Sequence, residues 1–462
     1  MQLDTDTLPT YRPAPRSLRD LLLRECTIAE GSLIFTTAFL LSAMLGVVRQ
    51  VLFNAEFGAG MEASAYYAAV RLPETLATLI AGGTLSNALI PVLLGATRAG
   101  GRPAEERLAS LTLTALSAVV SAAVVLGIIF APAFVGGVLA PGFDAETAAL
   151  TVGLTRVMLL QTLLVVASSV ALAVLNSRNL FVLSGLSIVA HNLTLILGVL
   201  AARAYPPLGV YGPALGAVSD ALLQLFILWP GLKAIGVRLR PAWDLADRRL
   251  REVVRLLVPN GLSAGVNYGG LIVDTAFAST VANPAGLPAL YNASVLAGLP
   301  VRLIGVALAQ AAFPRLAADV AGGDWPRMRR TLLGSLLTVA GLSAGAFVGL
   351  WLLGREVIRV LFERGRFDAA AGSLTYTLLL IIAAGLPAYA MTEVLSRGLI
   401  AMRDTRTPLV TNCGQLALRV LIIWALIGPL GIIAIPLGFA VSSAVETLAL
   451  GAVLWWRLRR AC

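Results

Sequence analysis

The chain has 462 residues, 58% of them hydrophobic and 13% charged, with a formal net charge of +10. Its mean hydropathy of +0.85 excludes an ordinary soluble domain, which is only about 45–50% apolar, and predicts an all-α polytopic membrane protein. The single histidine, His191, and three widely separated cysteines (Cys26, Cys413, Cys462) argue against a metal centre or a disulfide framework.

The first 30 residues are polar and carry no pattern of a cleavable signal peptide. Ser17-Leu-Arg-Asp20 opens an amphipathic stretch to about Glu30, which predicts a short cytoplasmic interfacial helix. Apolar segments of spanning length follow near 31–53, 63–95, 109–139, 147–175, 180–202 and 209–232. They are too long for barrel strands, so helices are the spanning elements. Pro73 and Gly82-Gly83 predict a kinked or broken second span. A basic linker, 233–251, separates these from a second set near 252–282, 287–316, 330–361, 371–401, 407–428 and 431–456, with a tail at 457–462.

Arginines concentrate in alternate connectors, and Lys233 is the only lysine. Arg98, Arg102 and Arg107 occupy the second loop, Arg178 the fourth, and Arg238 to Arg255 the sixth. Arg315 to Arg330 occupy the eighth, and Arg403 and Arg406 the tenth. Loops such as 54–62 and 140–146 are arginine-poor; the ninth, Arg355 to Arg366, breaks the pattern. By the positive-inside rule both termini are cytoplasmic, which agrees with twelve spans. The charge thus has a topological explanation, and nucleic acid is not an expected partner.

The two six-span halves look related. Leu208-Gly-Val-Tyr-Gly-Pro-Ala-Leu-Gly216 resembles Leu430-Gly-Ile-Ile-Ala-Ile-Pro-Leu-Gly438, and Asn176-Ser-Arg-Asn-Leu-Phe stands where Ala401-Met-Arg-Asp-Thr-Arg stands in the second half. Six spans per half gives a parallel repeat, with two lobes about an axis along the membrane normal and a central cavity.

No Walker loop, GxSxG, HExxH or soluble paired-carboxylate motif occurs, so the chain reads as a transporter, not an enzyme, with no cofactor. Gly58-Ala-Gly60, Ala65-Tyr-Tyr-Ala-Ala-Val-Arg-Leu-Pro73, Ser86-Asn-Ala-Leu-Ile-Pro91, Ala140-Pro-Gly-Phe143, Leu175-Asn-Ser-Arg-Asn-Leu-Phe181, Leu361-Phe-Glu-Arg-Gly-Arg-Phe367 and Arg403-Asp-Thr-Arg-Thr-Pro408 occur in order along almost the whole chain. In these segments it resembles the MurJ/MviN family of the multidrug/oligosaccharidyl-lipid/polysaccharide exporter superfamily. The resemblance implies two six-helix lobes in a V around a cavity. It also implies flipping of the peptidoglycan precursor lipid II from the inner to the outer leaflet of the bacterial cytoplasmic membrane, for cell-wall biosynthesis. Arg49 matches a cavity arginine of that family, and Arg71 falls at a basic position. Family members usually have two further spans that form a lipid-tail groove. Ala43, Ser64, Ala77, Gly82, Val295 and Gly298 stand where members often carry charges.

A charge in mid-bilayer costs roughly 2.5–3.5 kcal/mol on insertion scales and usually faces a partner or a wet cavity. Arg49, Arg71 and Arg302 suit a pyrophosphate, because a planar guanidinium binds two oxygens and stays charged. Glu74 lies at i+3 from Arg71 and can neutralise it. In the repeat register Asp274 falls beside the counterpart of Arg49, so the two are expected to pair across the cavity in one conformation, with substrate competing for the arginine. Asp220, Glu393 and Glu446 are either structural acids or sites for a coupling ion. His191-Asn192 predicts interhelical hydrogen bonds, while Arg156, Arg397 and Arg419 read as packing or inner-gate residues. Arg178, Arg403 and Asp404 read as inner-gate residues or helix-end anchors. The expected partners are lipid II or another polyprenyl-pyrophosphate glycolipid, membrane lipids and a coupling ion, acting on a monomer. A cation antiporter of the same superfamily is the alternative, and a non-transporting scaffold a third class.

Overall fold

The computed structural model describes residues 22–80 and 84–461, and within them every regular element is helical. Most of the expected interfacial helix lies outside the described residues. Helix α1 (Ile28–Phe57) opens on a reciprocal cap. Thr27 Oγ1 accepts from the Glu30 N–H at 3.2 Å, and Glu30 Oε2 accepts from the Thr27 N–H at 2.8 Å.

The expected second span is divided into α2 (Met61–Ala69) and α3 (Arg71–Ile80), with the break at Val70. Pro73 explains the break, since it cannot donate to the Ala69 carbonyl and its ring crowds that oxygen. The second expected break, Gly82-Gly83, lies outside the described residues. Helix α4 (Thr84–Phe134) is interrupted at Gly100–Gly101, where φ of Gly101 is 63°. There follow α5 (Ala145–Ser177), α6 (Phe181–Ala204), α7 (Tyr211–Ile235), α8 (Arg248–Ser279) and α9 (Gly286–Pro300). A π-helical segment, Val301–Val306, leads into α10 (Ala307–Ala321). The chain closes with α11 (Trp325–Leu361), α12 (Ala369–Ala384), α13 (Leu386–Ala401), α14 (Arg406–Leu430) and α15 (Ala434–Ala461).

Among the described residues, eight helical stretches are long and apolar enough to cross a membrane, and the bent pair α12–α13 makes a ninth. Two of the eight, Leu85–Leu139 and Arg406–Arg460, are 55 residues long. The protein is therefore an all-helical polytopic membrane protein.

Lipid tails are as apolar as leucine, so helices in a bilayer associate by close packing rather than by hydrophobic burial. The α6–α7 contact works this way. A Cβ on Gly198 would lie 2.5 Å from the Gly212 carbonyl oxygen, and one on Gly212 would lie 2.5 Å from that of Gly198. His191 Nδ1 meets Asp220 Oδ2 at 2.7 Å across the same contact, and Asn192 donates to the Ser42 carbonyl and hydroxyl of α1 at 2.9 and 2.8 Å. The predicted interhelical role of His191-Asn192 is thus realised.

Among the described residues, the three largest of five cores organise the packing. One joins residues of α1, α2, α5 and α6, such as Phe53, Tyr67, Met158 and Val199, with Leu290, Phe362, Leu378 and Ile423 from the second half of the sequence. The other two draw apart. One holds Leu89, Val174, Leu183 and Leu228 with Val253 and Leu257 at the start of α8. The other holds Leu316, Met328, Leu399 and Leu454.

Two matched turns end α5 and α13. Leu180 N–H bonds the Leu175 carbonyl and Asn179 N–H that of Asn176; Asp404 N–H bonds Leu399 and Arg403 N–H bonds Ile400. Both are Schellman closures, with Asn179 and Arg403 at φ 59° and 61°. They equate Asn179 with Arg403, one residue away from the register that sequence likeness suggested. Arg178 pairs with Glu105, which is fully buried in α4, and this bond holds the guanidinium pKa above its ordinary value. Asp404 caps α14 through the N–H groups of Arg406 and Thr407, both at 3.0 Å, and pairs with Arg457 at 2.6 Å. Burial pushes its carboxyl up, but the Thr407 hydrogen bonds and Arg457 together bring it below the usual range. Arg178 and Asp404 are therefore helix-end fasteners in this conformation.

Candidate functional site

The sequence-predicted charges converge where α1, α2 and α3 meet α8 and α9. The spacing of Gln50 and Asn54 puts both on one face of α1, and both are buried. Gln50 Nε2 donates to Tyr67 Oη at 2.6 Å and to Asn292 Oδ1 at 2.7 Å, while Asn54 Nδ2 donates to Asn292 Oδ1 at 3.1 Å. Asn292 Nδ2 returns a bond to Asn54 Oδ1 at 3.3 Å. This amide cluster ties α1 and α2 to α9.

Below it Tyr67 stacks on Tyr291 with ring centroids 4.0 Å apart, and the Arg71 guanidinium lies 5.4 Å from the Tyr291 centroid. Such a cation–π contact suits a desolvated guanidinium. Arg71 Nε donates to Thr275 Oγ1 at 3.4 Å, and Arg71 Nη1 pairs with Glu74 Oε2 at 3.4 Å. Arg71 is buried and Glu74 half-buried, so the predicted i+3 pair forms with one member partly exposed. Arg49 is half-buried close to Tyr66 and Tyr67. It makes no ion pair among the described residues.

The expected Arg49–Asp274 pair does not form in this conformation. Asp274 pairs instead with Arg419 of α14, which lies 4.9 Å from the Phe439 ring centroid. The reason is proximity: α8 and α14 are packed neighbours, so this acid meets a cation without reaching across to α1. Asp274 Oδ1 and Arg419 Nε remain buried without a hydrogen-bond partner. Arg419 is thus the member of the constellation that sequence reading left among the packing residues. Its position in Leu416-Ala-Leu-Arg-Val-Leu-Ile-Ile, a strongly apolar run, was the available signal. Counting Arg49, Arg71 and Arg419 against Glu74 and Asp274, the cluster carries one net positive charge.

Arg302 stands apart. It is exposed on the π-helical segment and makes no ion pair among the described residues. Asp220 Oδ2 accepts from Gln224 at 3.0 Å besides meeting His191 across the α6–α7 contact, while its Oδ1 is buried without a hydrogen-bond partner. Glu446 of α15 is buried and Glu393 of α13 half-buried, and neither makes an ion pair among the described residues. Arg156 donates to the Ile128 carbonyl at 3.1 Å and Arg397 lies over Phe313, contacts of the packing kind that was one of the two roles expected of them.

Beyond the amide cluster, loops cross between the two halves. Arg366 N–H donates to the Ala55 carbonyl at 2.9 Å, and its guanidinium donates to Glu62 Oε2 at 3.0 Å. The backbones interlock. A Cβ on Gly58 would lie 2.6 Å from the Arg366 oxygen, and one on Gly365 2.2 Å from the Ala55 oxygen. In the counterpart loop, Gly142 N–H donates to Ser279 Oγ at 3.1 Å, and a Cβ there would lie 2.4 Å from the Ser279 oxygen. Three of the four arginines that broke the loop alternation are paired here: Arg355 with Glu363, Arg359 with Glu356 and Arg366 with Glu62, while Arg364 donates to the Val360 carbonyl.

Residues 53–462 match the family model described as lipid II flippase MurJ. A probable lipid II flippase MurJ of Rhizobium tropici is 28% identical over 373 residues, covering 80% of this chain and 70% of that protein. The lipid II flippase MurJ of Burkholderia cenocepacia is 27% identical over 417 residues, covering 89% and 80%. A solved lipid II flippase MurJ in an inward closed conformation superposes with a TM-score of 0.78 at 22% identity, covering 92% of this chain and 87% of that one. An inward-facing multidrug resistance MATE family transporter of the MOP superfamily gives 0.79 at 13% identity, covering 91% and 95%. With the family model matching residues 53–462, most of this chain, the chain belongs to the lipid II flippase MurJ family.

Proposed function

We propose that this protein is a flippase that carries lipid II, an undecaprenyl-pyrophosphate glycan, from the inner to the outer leaflet of the bacterial cytoplasmic membrane by alternating access. The observation that carries this reading is the net-positive Arg49–Arg71 cluster sealed on one side by the Gln50–Asn54–Asn292 amides. A desolvated arginine beside a wet space is a strong pyrophosphate ligand. Lipid II enters from family membership and not from the geometry; a cationic drug would meet repulsion from the same cluster.

The chain is read as twelve spans in two lobes, 31–232 and 252–456, joined by the linker 233–251. At about 1.5 Å per residue, a 55-residue helical stretch is more than twice the ~30 Å hydrocarbon core. Leu85–Leu139 and Arg406–Arg460 therefore supply two spans each, divided at Gly100–Gly101 and Gly431. With α8 these bring the total to twelve. The matched Schellman turns and the paired Ala55–Arg366 and Gly142–Ser279 contacts support the parallel repeat. The shared core near the arginine-poor loops, and the separate cores near the arginine-rich ones, support a V-shaped cavity open to the cytoplasm with both termini inside. Arg302 is then a portal residue, and Glu393 with Glu446 the site where a coupling ion is exchanged. The protein acts as a monomer and catalyses no covalent chemistry.

Complementation of a cell depleted of its lipid II flippase tests the reading. The wild-type protein should restore growth, and Arg71→Ala and Arg49→Ala should not, at equal membrane abundance. Failure of the well-expressed wild type would remove lipid II as the substrate.

A further inference from the structure

The strongest unassigned chemistry lies outside the cluster, where the linker after α7 folds back on the second arm of α4. A cleft of about 690 Å³ opens there, walled by Arg102, Glu106, Arg107, Ser110, Arg238 and Arg240. A second, of about 340 Å³, adjoins it and shares Arg102, with Arg178 on its far side.

The linker is pinned. Arg240 N–H donates to Ser110 Oγ at 3.1 Å, and Ala242 N–H donates to Thr114 Oγ1 at 3.0 Å. These bonds lay an extended segment along one face of α4 and hold Arg238 and Arg240 over the cleft. Gly236 ends α7 at φ 65°, and the Arg102 guanidinium lies against it where any Cβ would collide. The arginines therefore converge from two elements onto a fixed frame.

Their charge is not spent internally. Arg107 is neutralised by Asp244 at 2.8 Å and approaches Asp247 at 3.9 Å. Arg102, Arg238 and Arg240 make no ion pair among the described residues, and Glu106 is the sole acid on the wall. The two residual positive charges, in forked guanidinium geometry, suit an anionic phosphate-bearing group, including the singly charged phosphodiester of a glycerophospholipid. Trp243 and Leu245, 64% and 58% exposed, follow on the same linker, as side chains at bilayer headgroup level do.

We propose that this cleft is a phosphate-binding site separate from the transport cluster, and that its occupant is the headgroup of an anionic glycerophospholipid of the adjoining leaflet. It fastens the linker between the halves to the membrane surface. The same chemistry would accept a soluble phosphate anion, and the test separates the two sources.

The full-length protein is purified in detergent and titrated with phosphatidylglycerol, phosphatidylcholine or inorganic pyrophosphate, with bound molecules counted by native mass spectrometry. The Arg102→Gln/Arg238→Gln/Arg240→Gln variant is compared with a control of equal charge loss, Arg315→Gln/Arg330→Gln/Arg406→Gln. The wild type and the control should retain phosphatidylglycerol at least tenfold over phosphatidylcholine, and the cleft variant should lose that preference. Retention of pyrophosphate without phosphatidylglycerol, lost in the cleft variant alone, would uphold the site and overturn the lipid as its occupant. Equal losses in both triple variants, or no loss in either, would overturn the site itself. Thermal unfolding of all three proteins confirms that the exposed substitutions leave the fold intact.

Discussion

The arginine-poor and arginine-rich ends of this molecule are held by different means. At the first, the two halves share one core, interlock glycine backbones and bury a network of four polar side chains. At the second, the packing divides into two cores, one of them holding the start of α8 with the first half, and the visible fasteners are helix caps and half-buried ion pairs within a half. Contacts between halves are the ones a transporter must break; contacts within a half must survive the cycle. On the proposed alternating-access reading, the end with the concentration of specific, directional contacts is the gate and the other the entrance.

The comparison can be broken most forcefully inside a half. Asp274→Ala leaves the Arg419 guanidinium buried and unpaired, and should cost about 3–5 kcal/mol in reversible unfolding. Adding Arg419→Leu should recover most of the loss. If Asp274→Ala is silent, the pair is not a fixed fastener. Between the halves, Asn292→Leu strands the Asn54 amide donor at about 1–3 kcal/mol, while Gln50 keeps Tyr67 and Asn54 as acceptors. It should also raise thiol labelling of a cysteine placed at Tyr67 from the outer side, in a protein cleared of its native cysteines; unchanged labelling would detach the amide cluster from gating.

At the arginine-rich end, Asp404→Ala should remove a cap worth about 0.5–2 kcal/mol. The folded Asp404 carboxyl sits below its ordinary range, so its contribution is present above the unfolded value of about 3.9 and is lost as pH falls through the folded one. The gap in melting temperature between wild type and variant should therefore close in acid. A gap that widened would reverse the sign of this linkage. The smallest effect is expected of Arg366→Ala. Its pair with Glu62 is exposed and worth about 0–1 kcal/mol, so the change should be modest and should vanish in high salt, while the backbone bond to Ala55 persists.

The amino-acid sequence alone determined the class of protein, the rough position of its helices, the alternation of arginine between loops and the family it resembles. Each follows from one-dimensional quantities: apolar length, charge spacing and short motifs. It also singled out Arg71 with Glu74, because an i+3 spacing on a helix is a contact before any fold exists. Only the tertiary structure decided that Asp274 meets Arg419 rather than Arg49, that Asp220 is absorbed by His191 and Gln224, and that Arg302 stands outside the cluster. The partner of a buried charge is set by which helices pack side by side, and that packing depends on small-residue contacts such as Gly198 with Gly212, which the spacing of the charges does not reveal. The one-residue shift between the matched turns has the same origin, since a Schellman closure registers on the helix end and not on the letters around it.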